Sequence, residues 1–320
     1  MRKNVLDYDI TRQDVPTMYF IGVTTGQSTM TRLFPFWASM LGLDNAQLVG
    51  VDLPLQAPVE QYRAAVAQIK YDPLSMGGLI TTHKINLFNA AGDMFDVCDP
   101  YAQLYREVDC ISKRGGQLVA HSMDPHTSRR ALQTMLGPHY WGRCDGHVLC
   151  LGAGGAGTAI VVNLLTQSHA QDRPQRIIVV NDQQYGLDRL RSIVEQIEST
   201  VEVVYLLNTD PRRNDALLAT LHKGSLVINA TGMGKDRPGS PITDEGLFPL
   251  HSIAWELNYR GELGFLHQAR AQARQRHVQA HDGWDYFVVS WADHIAEIFH
   301  LTISPVQLTQ LVARAEEIRA

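Results

Sequence analysis

Short apolar runs alternate along this chain with stretches in which apolar residues recur at helical spacing, the pattern of strands alternating with helices. Residues 17–23 read as a first strand, 24–28 as a turn, and 34–43 as a short helix. Residues 48–53 form a second strand, and Tyr62, Ala65, Val66 and Ile69 share one face of the helix that follows. Residues 77–82 are a third strand ending at His83-Lys84. A helical segment then runs to about Phe95, and another covers 100–105. Residues 108–112 and 117–121 read as a hairpin. Asp124-Pro125-His126 marks a break before a bridging helix over 127–136.

The alternation resumes with an apolar run, Val148 to Leu151, that feeds into Gly152-Ala153-Gly154-Gly155-Ala156-Gly157 and then into an apolar helical pattern. That is the turn of a dinucleotide-binding βα unit. The first glycine allows the tight turn, the second lets backbone N–H groups approach a pyrophosphate, and the third lets helix and strand pack closely. The helix then points the positive end of its dipole at the phosphates. Strands at 177–180, 201–207, 226–231 and 253–257, with a helix at 187–198, extend this into a doubly wound parallel sheet. From about Asp285 the pattern turns to continuous helix, with Phe287, Trp291, His294, Ile295 and Ile298 on one face. Ser304-Pro305 opens a last helix with a cap followed by proline.

A chain of 320 residues has room for two domains. Its 45% hydrophobic and 19% charged content is that of an ordinary folded protein. A net charge of −5 argues against a nucleic-acid-binding face. No apolar stretch reaches the ~18 residues of a membrane span. Residues 1–7 start basic, turn acidic and lack the apolar segment of a secretory leader, so a cytoplasmic location is expected. Cys98, Cys110, Cys144 and Cys150 show no metal-ligand spacing; free thiols and no metal are expected.

Asn181 and Asp182 end the second strand of the glycine-rich unit, where Rossmann folds read the adenosine ribose. A carboxylate there accepts from both ribose hydroxyls and repels a 2′-phosphate. The near positions Gln183 and Gln184 offer no basic clamp, so NAD is favoured over NADP. The competing reading of Asp182 is a turn cap.

The succession of pieces resembles the shikimate/quinate dehydrogenase family over most of the chain. Residues 21–28 resemble that family's opening strand and serine-bearing substrate loop, and 78–84 its N-V-T-x-P-H-K strand end. Val108-Asp109-Cys110 stands where the family has V-N-T, and Ser122-Met123-Asp124 where it has N-T-D. The glycine turn, Asn229-Ala230-Thr231, Glu256 to Tyr259 and Asp282-Gly283 follow in the family's order. The resemblance implies an N-terminal α/β substrate domain, 1–126, completed by helices from 285–320, with a dinucleotide domain over 127–284 inserted in sequence. It implies Lys84 and Asp124 as a catalytic dyad. Ser28, Met30, Asp109, Tyr259 and Ser290 become the expected substrate contacts. Gly152 to Gly157, Asn181, Asp182, Asn229, Ala230, Thr231 and Gly283 become the expected cofactor contacts. His83 is expected to pack rather than to act as a base.

Oxidising a secondary alcohol by hydride transfer needs a group that takes the hydroxyl proton, and a lysine beside an aspartate supplies one. The pocket departs from the family pattern. Met30 replaces a serine, Asp109 an asparagine, Ser290 a glutamine, Ile80 a threonine and Thr82 a proline. Asp109 is expected to repel a substrate carboxylate, which admits an amino-substituted carbocycle beside shikimate or quinate. The alternative is a non-catalytic sensor of NAD(H) or a metabolite on the same fold. The expected partners are a small hydroxylated molecule and, at most, a second copy of the chain in a homodimer, with neither nucleic acid nor membrane.

Overall fold

The computed structural model describes residues 8–235 and 237–319. The leader expectation, which rests on 1–7, lies outside them. The chain divides into two units: one runs up to Met123 and resumes at Val288, and the other is Asp124–Phe287.

The first unit is built on a mixed sheet. Strand β1 (Thr17–Gly22) is buried at every position and pairs in parallel with β2 (Gln47–Asp52) and β3 (Ser75–Ile80). The unbroken apolar run TMYFIG follows from that central place, since a parallel strand covered on both faces has no polar side to show. Beyond β3 the sheet turns antiparallel through β5 (Cys110–Arg114) and β6 (Gln117–His121), and the two-residue β4 (Val97–Cys98) closes the edge. The strand order is β2-β1-β3-β5-β6-β4. Its helices are α1 (Thr29–Met40), α2 (Val59–Tyr71), α3 (Lys84–Ala91) and α4 (Pro100–Tyr105). Helix α2 buries Tyr62, Ala65, Val66 and Ile69, the face its periodicity predicts. Helix α1 begins at Thr29 rather than Phe34, because the Ser28 hydroxyl accepts the Met30 N–H as a cap.

The second unit carries a six-stranded sheet in the order β12-β11-β10-β7-β8-β9, parallel throughout. Its helix α5 (Asp124–Leu136) starts where a break was expected, because Pro125 at its first turn needs no N–H partner. Strand β7 (Val148–Leu151) leads through the glycine turn to α6 (Gly155–Leu165), then β8 (Arg176–Asn181), α7 (Gln184–Val194) and β9 (Glu202–Leu207). Helix α8 (Pro211–Leu218), β10 (Leu226–Asn229), β11 (Ile253–Glu256), α9 (Gly264–Ala271), α10 (Ala273–Arg276) and β12 (Gln279–His281) complete it. The strand order is that of the Rossmann fold. Apolar clusters centred on Val148, Ile160 and Ile228 on one face, and on Leu149, Val227 and Phe248 on the other, form its core.

Helix α11 (Trp284–Phe299) contains the boundary at Val288, and α12 (Pro305–Arg319) follows. Within the first unit Trp291 meets Phe20 edge-on at 4.9 Å, Glu297 pairs with Arg114 at 2.8 Å, and Trp37 Nε1 donates to the Leu311 carbonyl at 3.1 Å. No helix among the described residues is long and apolar enough to cross a membrane.

Candidate active site

In the first unit the chemistry gathers where β3 gives way to α3. Thr82 takes a left-handed backbone (φ 61°), and the His83 N–H closes back on the Thr81 carbonyl at 2.5 Å. This three-residue turn is unusual for a β-branched residue and marks a strained point. His83 is buried and doubly bonded: Tyr62 Oη lies 3.0 Å from Nδ1 and the Leu53 carbonyl 3.0 Å from Nε2. Burial lowers its pKa, against the opposing carbonyl bonds. The ring donates to the carbonyl and accepts from the tyrosine, so it anchors the start of α3.

Lys84, the next residue, keeps its side chain 18% exposed and sets Nζ 3.7 Å from Asp109 Oδ2. Asp109 is fully buried. The Met123 N–H donates to its Oδ1 at 2.7 Å, and His294 Nε2 of α11 stands 3.5 Å from the same oxygen. Burial alone would raise the Asp109 pKa. Lys84, His294 and the Met123 N–H outweigh it and hold the carboxyl well below its ordinary value. Asp109, expected to repel a substrate carboxylate, is thus buried beside Lys84 and His294, with the Glu107 carboxylate within 4.8 Å of its own.

The other residues singled out for the pocket make their own contacts. Met30 is fully buried, because it lies on the inner face of α1 rather than in the loop before it. Ile80 is buried and donates its N–H to the Asp109 carbonyl at 2.8 Å. The Ser28 hydroxyl caps α1. Ser290 is half-buried, and its carbonyl lies 2.6 Å from His294 Nδ1. Tyr259 belongs to the second unit, where it stacks on Phe287 at 4.1 Å.

Asp124 opens α5 in the second unit and is 3% exposed. Tyr286 Oη donates to its Oδ1 at 3.1 Å. Asn163 of α6 donates to the Pro125 carbonyl at 2.7 Å and to Ser128 Oγ, which pins that first turn. A carboxylate there also faces the positive end of the helix.

The glycine turn has the form a dinucleotide needs. A side chain at Gly152 (φ 110°) would lie 2.5 Å from the Ala230 carbonyl, and one at Gly157 would lie 2.3 Å from the Gly152 carbonyl. At Gly154, ahead of the start of α6, nothing lies within 4 Å. Two glycines close the turn and the third leaves room for a pyrophosphate against the helix N-terminus. Asn181 braces the turn, since its Oδ1 accepts the Ala153 N–H at 3.1 Å. Gly283 is needed for packing, where a Cβ would meet the Leu257 carbonyl at 2.0 Å.

Asn229 is also turned inward. Its Nδ2 donates to Glu256 at 2.7 Å and to the Met233 carbonyl, while its Oδ1 accepts from Thr231. Glu256 is fully buried, and desolvation lifts its pKa to about 7 against the bonds from Asn258 and Asn229. Asn258 donates to the Met233 carbonyl as well, at 3.0 Å. This loop carries Arg237, whose Nη1 lies 2.8 Å from Asp182 Oδ2. The sequence offers no basic residue near Asp182; the fold brings one from beyond β10.

His294, Tyr286, Glu256 and Arg237 are thus the residues sequence reasoning missed. The available signal was a histidine on the apolar face of α11.

No family model matches the chain. It is 26% identical over 193 residues to the shikimate dehydrogenase (NADP(+)) of Streptococcus thermophilus, covering 59% of this chain and 60% of that protein. It is 28% identical over 216 residues to the enzyme of the same name from Symbiobacterium thermophilum, covering 67% of this chain and 68% of that one. The first match thus spans about three fifths of the relative's length. Among solved structures, quinate dehydrogenase from Corynebacterium glutamicum in complex with NAD superposes with a TM-score of 0.68 at 19% identity, over 95% of this chain and 100% of that one. The Rossmann sheet and its glycine turn define a protein of the nicotinamide-dinucleotide-binding class. Within that class, the chain is similar to the shikimate dehydrogenases among curated proteins and to shikimate and quinate dehydrogenases among solved structures.

Proposed function

We propose that the chain is an NAD(P)-dependent alcohol dehydrogenase that oxidises a secondary hydroxyl of a shikimate- or quinate-like carbocycle. The observation that supports this most is Lys84, largely buried and held against a fully buried carboxylate at the end of a sheet strand. A sensor of NAD(H), the other reading of the sequence, has no need of such a charged group. An amino-substituted carbocycle, expected from Asp109, is the other substrate class to test.

A bound nicotinamide would exchange the hydride. Lys84 gives its proton to the oxygen of a ketone being reduced and takes it back from an alcohol being oxidised. Asp124, fixed by Tyr286 and the first turn of α5, is the second member of the proposed dyad and accepts the reacting hydroxyl as a hydrogen-bond donor. Asp182 would take the ribose hydroxyls, which favours NAD. Arg237 beside it offsets the repulsion of a 2′-phosphate and narrows that preference.

The test is formation of reduced nicotinamide over a panel of shikimate, quinate, other cyclitols and acyclic hydroxy acids. Turnover confined to the carbocycles supports the reading. Tight dinucleotide binding with no substrate oxidised would favour the sensor.

A further inference from the structure

The His294 ring is 2% exposed, yet each of its nitrogens meets an oxygen. Nδ1 lies 2.6 Å from the Ser290 carbonyl, a group that can only accept, so Nδ1 carries a hydrogen. Nε2 faces Asp109 Oδ1 at 3.5 Å. That carboxylate receives the Met123 N–H at 2.7 Å and faces the Lys84 ammonium at 3.7 Å, the surroundings of an ionised group. An ionised carboxylate also only accepts. A neutral His294 would thus turn a lone pair on that oxygen at a separation of 3.5 Å, too short to admit a water between them. A second proton, on Nε2, removes the conflict.

We infer that His294 is held as an imidazolium and is a positioning residue, fixing the Asp109 carboxylate against which Lys84 is oriented. Asp109 is then shared between two cations. Both stand beyond the ~2.7–2.9 Å of a tight charge-assisted bond, so Lys84 is aligned without being locked to the carboxylate. The buried Glu107 carboxylate lies within 4.8 Å of that of Asp109. The bearing of this alignment on turnover rests on the proposed dehydrogenase reading; the charge state of His294 does not.

The charged groups acting on the ring are Asp109, just ahead of β5, and Lys84, at the start of α3, and the Glu107 carboxylate lies within 4.8 Å of that of Asp109. Burial pushes the ring's pKa down. The Asp109 carboxylate, with the Ser290 carbonyl, outweighs burial and the opposing Lys84, and the pKa is raised.

The test has two arms on the full chain. Nitrogen-15 spectra of the imidazoles, assigned by loss of one signal in His294→Gln, should show both His294 nitrogens protonated at pH values where exposed histidines have lost their second proton. A neutral His294 ring at pH 7 overturns the inference. In the second arm His294→Gln keeps a donor toward Asp109 but cannot titrate, whereas His294→Ala removes both. We expect kcat to fall ~10- to 100-fold in His294→Ala, the span of hydrogen bonds to charged groups, and to recover substantially in His294→Gln. The alkaline decline of the wild type should change in His294→Gln, which keeps the loss due to Lys84 but lacks the one due to His294. Equal losses in the two variants, or an unchanged profile, would overturn the positioning role. A wild type that turns over no substrate defeats the dehydrogenase reading and with it this role, while the spectra still decide the charge state.

Discussion

Arg237 bonds Asp182 at 2.8 Å although two strands, β9 and β10, lie between them in the chain. The pair is partly exposed and contributes ~0–1 kcal/mol to stability. Its consequence lies in dinucleotide choice. Arg237→Ala should leave the affinity for NAD within a few fold and weaken NADP by about tenfold or more, read by titration calorimetry. Asp182→Ala should do the reverse and raise the preference for NADP. An unchanged ratio in both variants would remove Asp182 from the ribose site.

Gly154 and Gly157 of the turn should separate by variant. Gly157→Ala drives a methyl onto the Gly152 carbonyl, so its thermal midpoint should fall. Gly154→Ala meets open space and should leave the midpoint unchanged while weakening dinucleotide binding, because the methyl occupies the path of the pyrophosphate. Equal stability and equal affinity in Gly154→Ala would mean that no phosphate approaches there.

Lys84→Met should lower kcat by ~100-fold or more, the scale of a lost general acid and base, with dinucleotide affinity retained. Steady-state rates and direct binding measured on the same preparation separate the two effects.

Glu256 has a folded-state pKa of about 7 against 4.5 for an ordinary carboxyl. The folded state therefore holds a proton that the unfolded chain releases as pH rises through that interval. Stability from this group is full below 4.5, declines between 4.5 and 7, and is lost above 7. The shift corresponds to about 3 kcal/mol. Glu256→Gln mimics the protonated form, so the difference in unfolding free energy between variant and wild type should grow across that window. Urea melts at several pH values measure it.

Thr82 stands where the resembling family has proline. Proline fixes φ near −65° and cannot adopt the +61° seen here. Thr82→Pro should therefore destabilise the chain by more than ~1 kcal/mol and displace Lys84. A variant with wild-type stability and turnover would show that this turn is not maintained in solution.

The parallel order of strands and helices was legible because each buried strand is a continuous apolar run and each helix shows its period. The residues expected on one face of α11, Phe287, Trp291, His294, Ile295 and Ile298, are all buried, as are Trp284, Val288, Ala292 and Phe299. The start of α1 was placed too late, since the helix is capped by Ser28 and runs through Pro35. Helix α8 escaped notice although Asp210 caps it and Pro211 opens it. Lys84 and the glycine turn stood out because their motifs are local. The partners of Asp109 and Asp182 did not, since His294 and Arg237 arrive from remote segments. Spacing along a chain carries no record of which side chains the sheet order will bring together.

The first unit takes its last two helices from the far end of the polypeptide, and this bears on its manufacture. Trp291, which covers Phe20, and Leu311, whose carbonyl receives Trp37, are synthesised only after the entire dinucleotide unit. A growing chain on the ribosome therefore carries an unfinished N-terminal half, with aromatic surface uncovered, while the half made later already has all its strands. The portion begun first is the portion completed last.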